Sequence, residues 1–305
     1  MVTPFTTPIL LLIFNRPDST MQVFNQIRIL KPKQLFIAAD GPRKNKIGEA
    51  EKCEKVRAIT ALVDWDCDVK TLYRERNLGC KLAVSSAISW FFDNNNEGII
   101  LEDDCVPNQS FFFFCAELLL KYRNDFKVMH IGGINLNPTF DSKDSYYFSR
   151  HTHIWGWATW KRAWKEYDVN VAGFPLFLKE NRIKKVFGSN MAQFSWLYRF
   201  WKVYRNKIDT WDYQWTYSVW NCGGLCISPS KNLVSNIGFH SDASHTKIMN
   251  HNVAELKTEA ILEINHPLSM VINTSVDNAS EAISYNLTWF RKIIYFIIMS
   301  IVCLL

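Results

Sequence analysis

Three adjacent carboxylates, Glu102, Asp103 and Asp104, follow the apolar run Ile99-Ile100-Leu101. Hard oxygen donors of this kind suit Mg2+ or Mn2+, which in turn bind the oxygens of a diphosphate. An acidic turn capping the next helix accounts for the same three residues without any chemistry. Other polar side chains stand just past the ends of apolar runs: Asn15 and Arg16 after PILLLIF, Asp40 after QLFIAA, Arg74 and Asn77 after residues 68 to 73. Asp212 lies in TWDYQW, and His240 and His245 lie in a polar stretch from Ile237 to Asn252. Asp40 opens an Asp-Gly-Pro sequence, a strong turn signal in its own right. Asp212 has the residue type of a helix N-cap. His130 falls inside an apolar run and reads as a satisfied core residue, while His151 and His153 precede a Trp-rich stretch and receive no role.

These residues share a place only if the intervening elements bring them there. Residues 8 to 14, 34 to 39, 68 to 73, 98 to 102 and 127 to 132 read as short buried strands. Between them lie helical patterns: one capped by Asp18 or Ser19, one from about Gly48 to Val63, one from Gly79 to about Phe92, and one from 110 to 122. Strands alternating with helices of this length imply βαβ units and a mostly parallel central sheet flanked by helices. Right-handed crossovers put all the strand ends on one edge, where open α/β sheets bind ligands. Asn15, Arg16, Asp40, Arg74, Asn77 and the three carboxylates are therefore expected to converge on one crevice.

The second half has a different texture. Residues 151 to 220 hold nine of the twelve tryptophans. Indoles bury large areas, so most are expected to be core, with one or two lining a cleft. Helices are expected at about 160 to 167, 189 to 206 and 212 to 221, a hairpin or strand at 224 to 236, and a mobile loop from Ile237 to Asn252. The boundary near 136 to 150 is soft, so residues 1 to 286 read as one unit.

The 305 residues are 48% apolar with a net charge of +6. That balance fits an anionic substrate or an acidic membrane surface and does not call for nucleic acid. The eight cysteines form no C-x-x-C pair and read as reduced thiols of a cytoplasmic chain. The apolar run Ile9 to Phe14 is too short for a signal peptide. After Arg291 and Lys292, residues 293 to 305 are almost wholly apolar. They fall short of the roughly 20 residues a spanning helix needs. The tail, 287 to 305, reads as an interfacial anchor at the inner face of the plasma membrane or as a buried terminal helix.

Four stretches in matching order carry a resemblance: LEDD at 101 to 104, HIGGIN at 130 to 135, WGWATWKRAW at 155 to 164, and TWDYQW at 210 to 215. Together they resemble the GT-A nucleotide-sugar glycosyltransferases, in particular the family of α-mannoside β-1,2-N-acetylglucosaminyltransferase I and its bacterial relatives. The resemblance runs from about residue 8 to 246. It implies a GT-A fold with a nucleotide-sugar-binding half at about 8 to 135 and an acceptor half at about 150 to 246. It implies Asp104 as the ligand of Mn2+ or Mg2+, with Glu102 and Asp103 on the donor sugar and ribose. It further implies Arg16 on the nucleotide, Asp40 on the uracil ring and Asp212 as the catalytic base. Lys81 stands near the place of a family histidine, where it neutralises phosphate or is simply a solvated helix lysine. His245 meets the diphosphate from a loop that orders over the nucleotide, or is solvated. The activity so implied is inverting transfer of a sugar, with GlcNAc suggested, from a UDP-sugar to a glycan or lipid-linked acceptor of surface polysaccharide synthesis. A metal-dependent phosphatase or nucleotidyltransferase, and a non-enzymatic membrane-associated carbohydrate-binding protein, are the competing readings.

Overall fold

The computed structural model describes residues 4–137, 142–238 and 256–284. The polar stretch carrying His240 and His245, and the apolar tail, lie outside the described residues.

Eight strands form one sheet in the order β3-β2-β1-β4-β8-β6-β9-β7. β1 (Ile9–Ile13), β2 (Gln34–Ala39), β3 (Asp68–Tyr73) and β4 (Glu97–Glu102) are parallel to one another. β8 (Trp157–Trp160) runs antiparallel between β4 and β6 (Val128–Gly132). β9 (Leu225–Pro229) is parallel to β6, and β7 (Tyr146–Ser149) closes the far edge antiparallel to β9. Six of the eight strands therefore point the same way, and the fold is α/β with a mostly parallel sheet flanked by helices. A separate two-stranded ribbon pairs β5 (Cys105–Pro107) with β10 (Val234–Asn236).

Period-two alternation splits the strands between two cores. Ile9, Leu11, Ile13, Leu35, Ile37, Ile99 and Leu101 face one core, with α1 (Pro17–Leu30), α2 (Glu49–Ala58) and α4 (Gln109–Lys121). Leu10, Leu12, Phe36, Ala38 and Ile100 face the other. There they meet α3 (Gly79–Asn94) and the second-half helices α5 (Lys161–Trp164), α6 (Phe174–Lys179), α7 (Ile183–Val186), α8 (Asn190–Tyr204) and α9 (Asp212–Asn221). α10 (Thr274–Ser284) ends the described chain. No described helix is long and apolar enough to cross a membrane.

Three sequence expectations need correction. The helix expected at about 160 to 167 is present only as the single turn α5, and the strand β8 before it, which fills the gap between β4 and β6, was not expected. Of the two alternatives for 224 to 236, strand holds and hairpin does not: β9 and β10 both lie there but belong to different sheets. The first helix begins at Pro17 with Arg16 in the capping position, so Asp18 lies in its first turn and neither it nor Ser19 is the cap.

The tryptophans are largely core. Trp157, Trp160, Trp211 and Trp215 are fully enclosed. Trp157 stacks on Trp211 at 5.7 Å and on the His130 ring at 5.2 Å. His130 is satisfied at both nitrogens: Trp215 Nε1 donates to Nδ1 at 3.1 Å, and Nε2 meets the His153 carbonyl at 3.0 Å.

Candidate active site

The register fixes the site's floor. Ile13 pairs with Ala39, Ala39 with Tyr73, and Leu12 with Glu102. The first residues beyond these strands therefore leave the sheet along one edge, bringing Arg16, Asp40, Arg74 and Asp103 out on the same side.

Arg16 joins two of the carboxylates. One guanidinium nitrogen, Nη1, donates to Asp103 Oδ1 at 3.0 Å and to Asp104 Oδ2 at 2.5 Å. Its backbone is held by the first turn of α1, where the Thr20 hydroxyl donates to the Arg16 carbonyl at 2.6 Å. Burial works against the Arg16 charge, but Asp103 and Asp104 outweigh it and hold its pKa above the ordinary value. Asp103 is buried, and burial raises its pKa against the opposing pull of Arg16. Glu102 is pushed well above the usual carboxylate range, first by burial and then by the charges of Asp104, Asp103 and Asp212, with Arg16 opposing. Glu102 Oε1 is enclosed and accepts no hydrogen bond from a described residue.

Asp212 comes from the other half of the chain, yet its charge bears on Glu102. It is the first residue of α9, and Trp211 occupies the capping position, so the N-cap reading of Asp212 does not hold. The Thr210 hydroxyl donates to Asp212 Oδ1. The carbonyl of Thr210 accepts from Gln214 Nε2, and that of Trp211 from the Tyr167 hydroxyl at 3.0 Å.

Asp40 is deeply committed. Its carboxylate accepts the N–H groups of Gly41 at 2.8 Å, Leu78 at 2.9 Å and Gly79 at 3.2 Å, and the Asn77 amide at 2.9 Å. A carboxylate offers about four lone-pair sites, so any base contact there must displace one of these. Burial raises the Asp40 pKa while the backbone donors work to lower it. The Lys81 ammonium donates to Asn170 Oδ1 at 3.1 Å and Asn206 Oδ1 at 3.2 Å. Asn15 turns to Glu49, at 2.9 Å, which also binds Arg43. His245 lies outside the described residues, but the strand before it ends at the site: the Ile237 N–H donates to the Asp104 carbonyl at 2.8 Å.

Asp209 was not singled out by the sequence. Its carboxylate accepts the N–H groups of Cys80 at 2.9 Å and Lys81 at 2.8 Å, so Asp40 and Asp209 together occupy the amino end of α3. Gly79, with φ of +78°, is the one signal that marked the place, since a chain entering a helix through this conformation needs glycine.

Among the described residues no three His, Cys, Asp or Glu side chains are gathered as a ligand shell. The donors that are present still fit a hard cation. Asp104 is a carboxylate beside an enclosed, unpartnered Glu102 oxygen. Mg2+ in particular is commonly held by one or two carboxylates, with substrate phosphates and water completing its shell.

No family model matches this chain, and neither does any curated protein. Among solved structures it is similar to S. aureus TarS 1-349, at 13% identity over 67% of this chain and 56% of that one, with a TM-score of 0.33. It is similar to mouse xyloside xylosyltransferase 1 in its apo form, at 9% identity over 70% and 81% of the two chains, with a TM-score of 0.33. It is also similar to the 4-diphosphocytidyl-2C-methyl-D-erythritol synthase of Anaerococcus prevotii, at 11% identity over 64% and 83%, with a TM-score of 0.33.

Proposed function

We propose that this protein is a metal-dependent, inverting glycosyltransferase that moves a sugar from a UDP-sugar to a glycan or lipid-linked acceptor. The observation that carries the reading is the cluster at the sheet edge, where Arg16 bridges Asp103 and Asp104 and the charge of Asp212 reaches Glu102. Asp104 would hold the divalent cation, Mn2+ or Mg2+. When bound, the cation neutralises charge on the departing diphosphate. Arg16, poised between two carboxylates, contacts the nucleotide. Glu102 and Asp103, enclosed and with pKa values raised by burial, suit hydrogen bonding to sugar and ribose hydroxyls. Asp212 takes the proton from the acceptor hydroxyl as it attacks the anomeric carbon. GlcNAc is the donor sugar to test first, and surface polysaccharide synthesis near the cytoplasmic membrane face is the setting. Asp40 and Lys81 enter this reading as ties around the amino end of α3, since their polar atoms are already engaged.

The test is a panel of UDP-sugars with and without Mn2+, read by UDP release. One donor should turn over only with metal. Asp104→Ala should lower that turnover by about 100-fold or more, and Asp212→Ala by about 100- to 10,000-fold, with thermal melts close to the parent protein. Metal-dependent turnover that survives Asp104→Ala undiminished overturns the reading.

A further inference from the structure

We infer that Asp209 is a positioning residue for Asp212: by gripping the amino end of α3, it fixes the turn from which the proposed base projects. The inference rests on the reading of Asp212 given above. Asp209 Oδ2 accepts the Cys80 N–H and Oδ1 the Lys81 N–H, a two-point contact that sets the direction of the carboxylate as well as its place. Gly79 makes the contact possible. A Cβ at that position would lie 2.5 Å from Asp209 Oδ2, far inside van der Waals distance.

Further bonds tie the same turn down. Lys81 Nζ donates to Asn206 Oδ1 on the approach to Asp209. The Tyr167 hydroxyl holds the Trp211 carbonyl, and the Thr210 hydroxyl passes the constraint directly to Asp212 Oδ1. α3 also carries the link to the carboxylate cluster: the Cys80 thiol lies within electrostatic reach of Glu102, Asp212 and Asp209 at once. The amino end of α3 is itself pinned to the sheet edge by Asp40. The chain of contacts therefore runs from the end of β2, through the start of α3, to Asp209, Thr210 and Asp212. It sets the proposed base against the donor side of the site without Asp209 touching substrate.

The experiment measures kcat for transfer and, by calorimetry, the affinity and stoichiometry of UDP with Mn2+, for Asp209→Ala and Gly79→Ala. Misplacing a catalytic group by about 1 Å can cost about 100-fold, so each variant should lose about 10- to 100-fold in kcat. In Asp209→Ala, UDP binding should stay within about twofold at full stoichiometry, because Asp209 grips the N–H groups of Cys80 and Lys81 and leaves the ties of Arg16 and Asp40 in place. In the Asp212→Ala background, Asp209→Ala should change kcat by less than about twofold, since the group it positions is gone. An unchanged kcat in Asp209→Ala overturns the proposal. So does a loss of UDP binding that parallels the loss in kcat, or an equal loss with and without Asp212, either of which marks a merely structural contact. Full activity in Asp212→Ala removes the base assignment and the positioning role together. Loss in Asp212→Ala with none in Asp209→Ala removes the positioning role alone.

Discussion

His130 shows how one side chain can set a pH limit on the whole fold. Trp215 Nε1–H points at Nδ1, so the ring must be neutral, with its proton on Nε2 facing the His153 carbonyl. Protonation would set two N–H donors against each other. Burial accordingly pushes the His130 pKa down to about 3, and burial together with His151 and His130 does the same to His153. The unfolded chain takes up these protons near pH 6.5 and the folded one does not. The histidines' contribution to stability is therefore full above about pH 6.5 and falls as pH drops toward 3, by about 1.4 kcal/mol per pH unit for each histidine. The raised pKa values of Glu102 and Asp103 slope the other way over the same range, so the histidine share is read as a difference: chemical denaturation between pH 7 and 4 should show His130→Phe losing less stability per pH unit on acidification than the parent, by about 1.4 kcal/mol. At the same scale, the site was legible where residue type and strand end coincide, as in Arg16 and the 102 to 104 carboxylates. It was illegible where a side chain acts on backbone far away in sequence. Nothing in the identity of Asp209 announces that its partners are the N–H groups of Cys80 and Lys81.

Among the elements, β1, β2 and β4 could be read from the sequence because both faces are buried, which leaves continuous apolar runs. α8 and α9 were placed nearly to the residue by their periodicity. β8 was not expected, because four residues with two tryptophans carry no strand pattern of their own, and only pairing with Ile99 and Ile131 through Ala158 makes them a strand. β5, three residues long, exists only through β10, about 130 residues away, and so leaves no local pattern. β4 also depends on Gly98. A Cβ there would meet the Phe91 ring of α3 and stand 2.8 Å from the Pro8 carbonyl. Gly98→Ala should cost about 1–3 kcal/mol through overpacking, measured as a lower denaturation midpoint with an unchanged m-value.

Over the whole molecule, the two halves share one sheet, and the last described stretch fastens back onto it. Asp277 of α10, fully buried, accepts from the Ser149 hydroxyl at 2.7 Å, from the Arg150 N–H at 3.0 Å and from Arg150 Nε at 2.9 Å. Ser145 adds a second fastening, its hydroxyl donating to the Glu263 carbonyl at 3.0 Å. Asp277→Ala leaves the largely buried Arg150 charge without its carboxylate. It should cost about 3 kcal/mol and make the 256–284 stretch the first site of limited proteolysis.

The placement of β8 has a consequence for how the chain is made. Residues up to Glu102 complete the parallel block β3-β2-β1-β4, but the strand that covers its inner border is Trp157–Trp160. A ribosome adding about 5–20 residues per second reaches that strand about 3 to 12 s later. Through that interval Gly98 and Ile100 offer bare amides to any neighbouring nascent chain, while Ile99 between them already donates to the Pro8 carbonyl at 3.0 Å. The tryptophans of β8 thus act as a late-arriving shield, and the vulnerable moment of this protein comes before its second half has been translated.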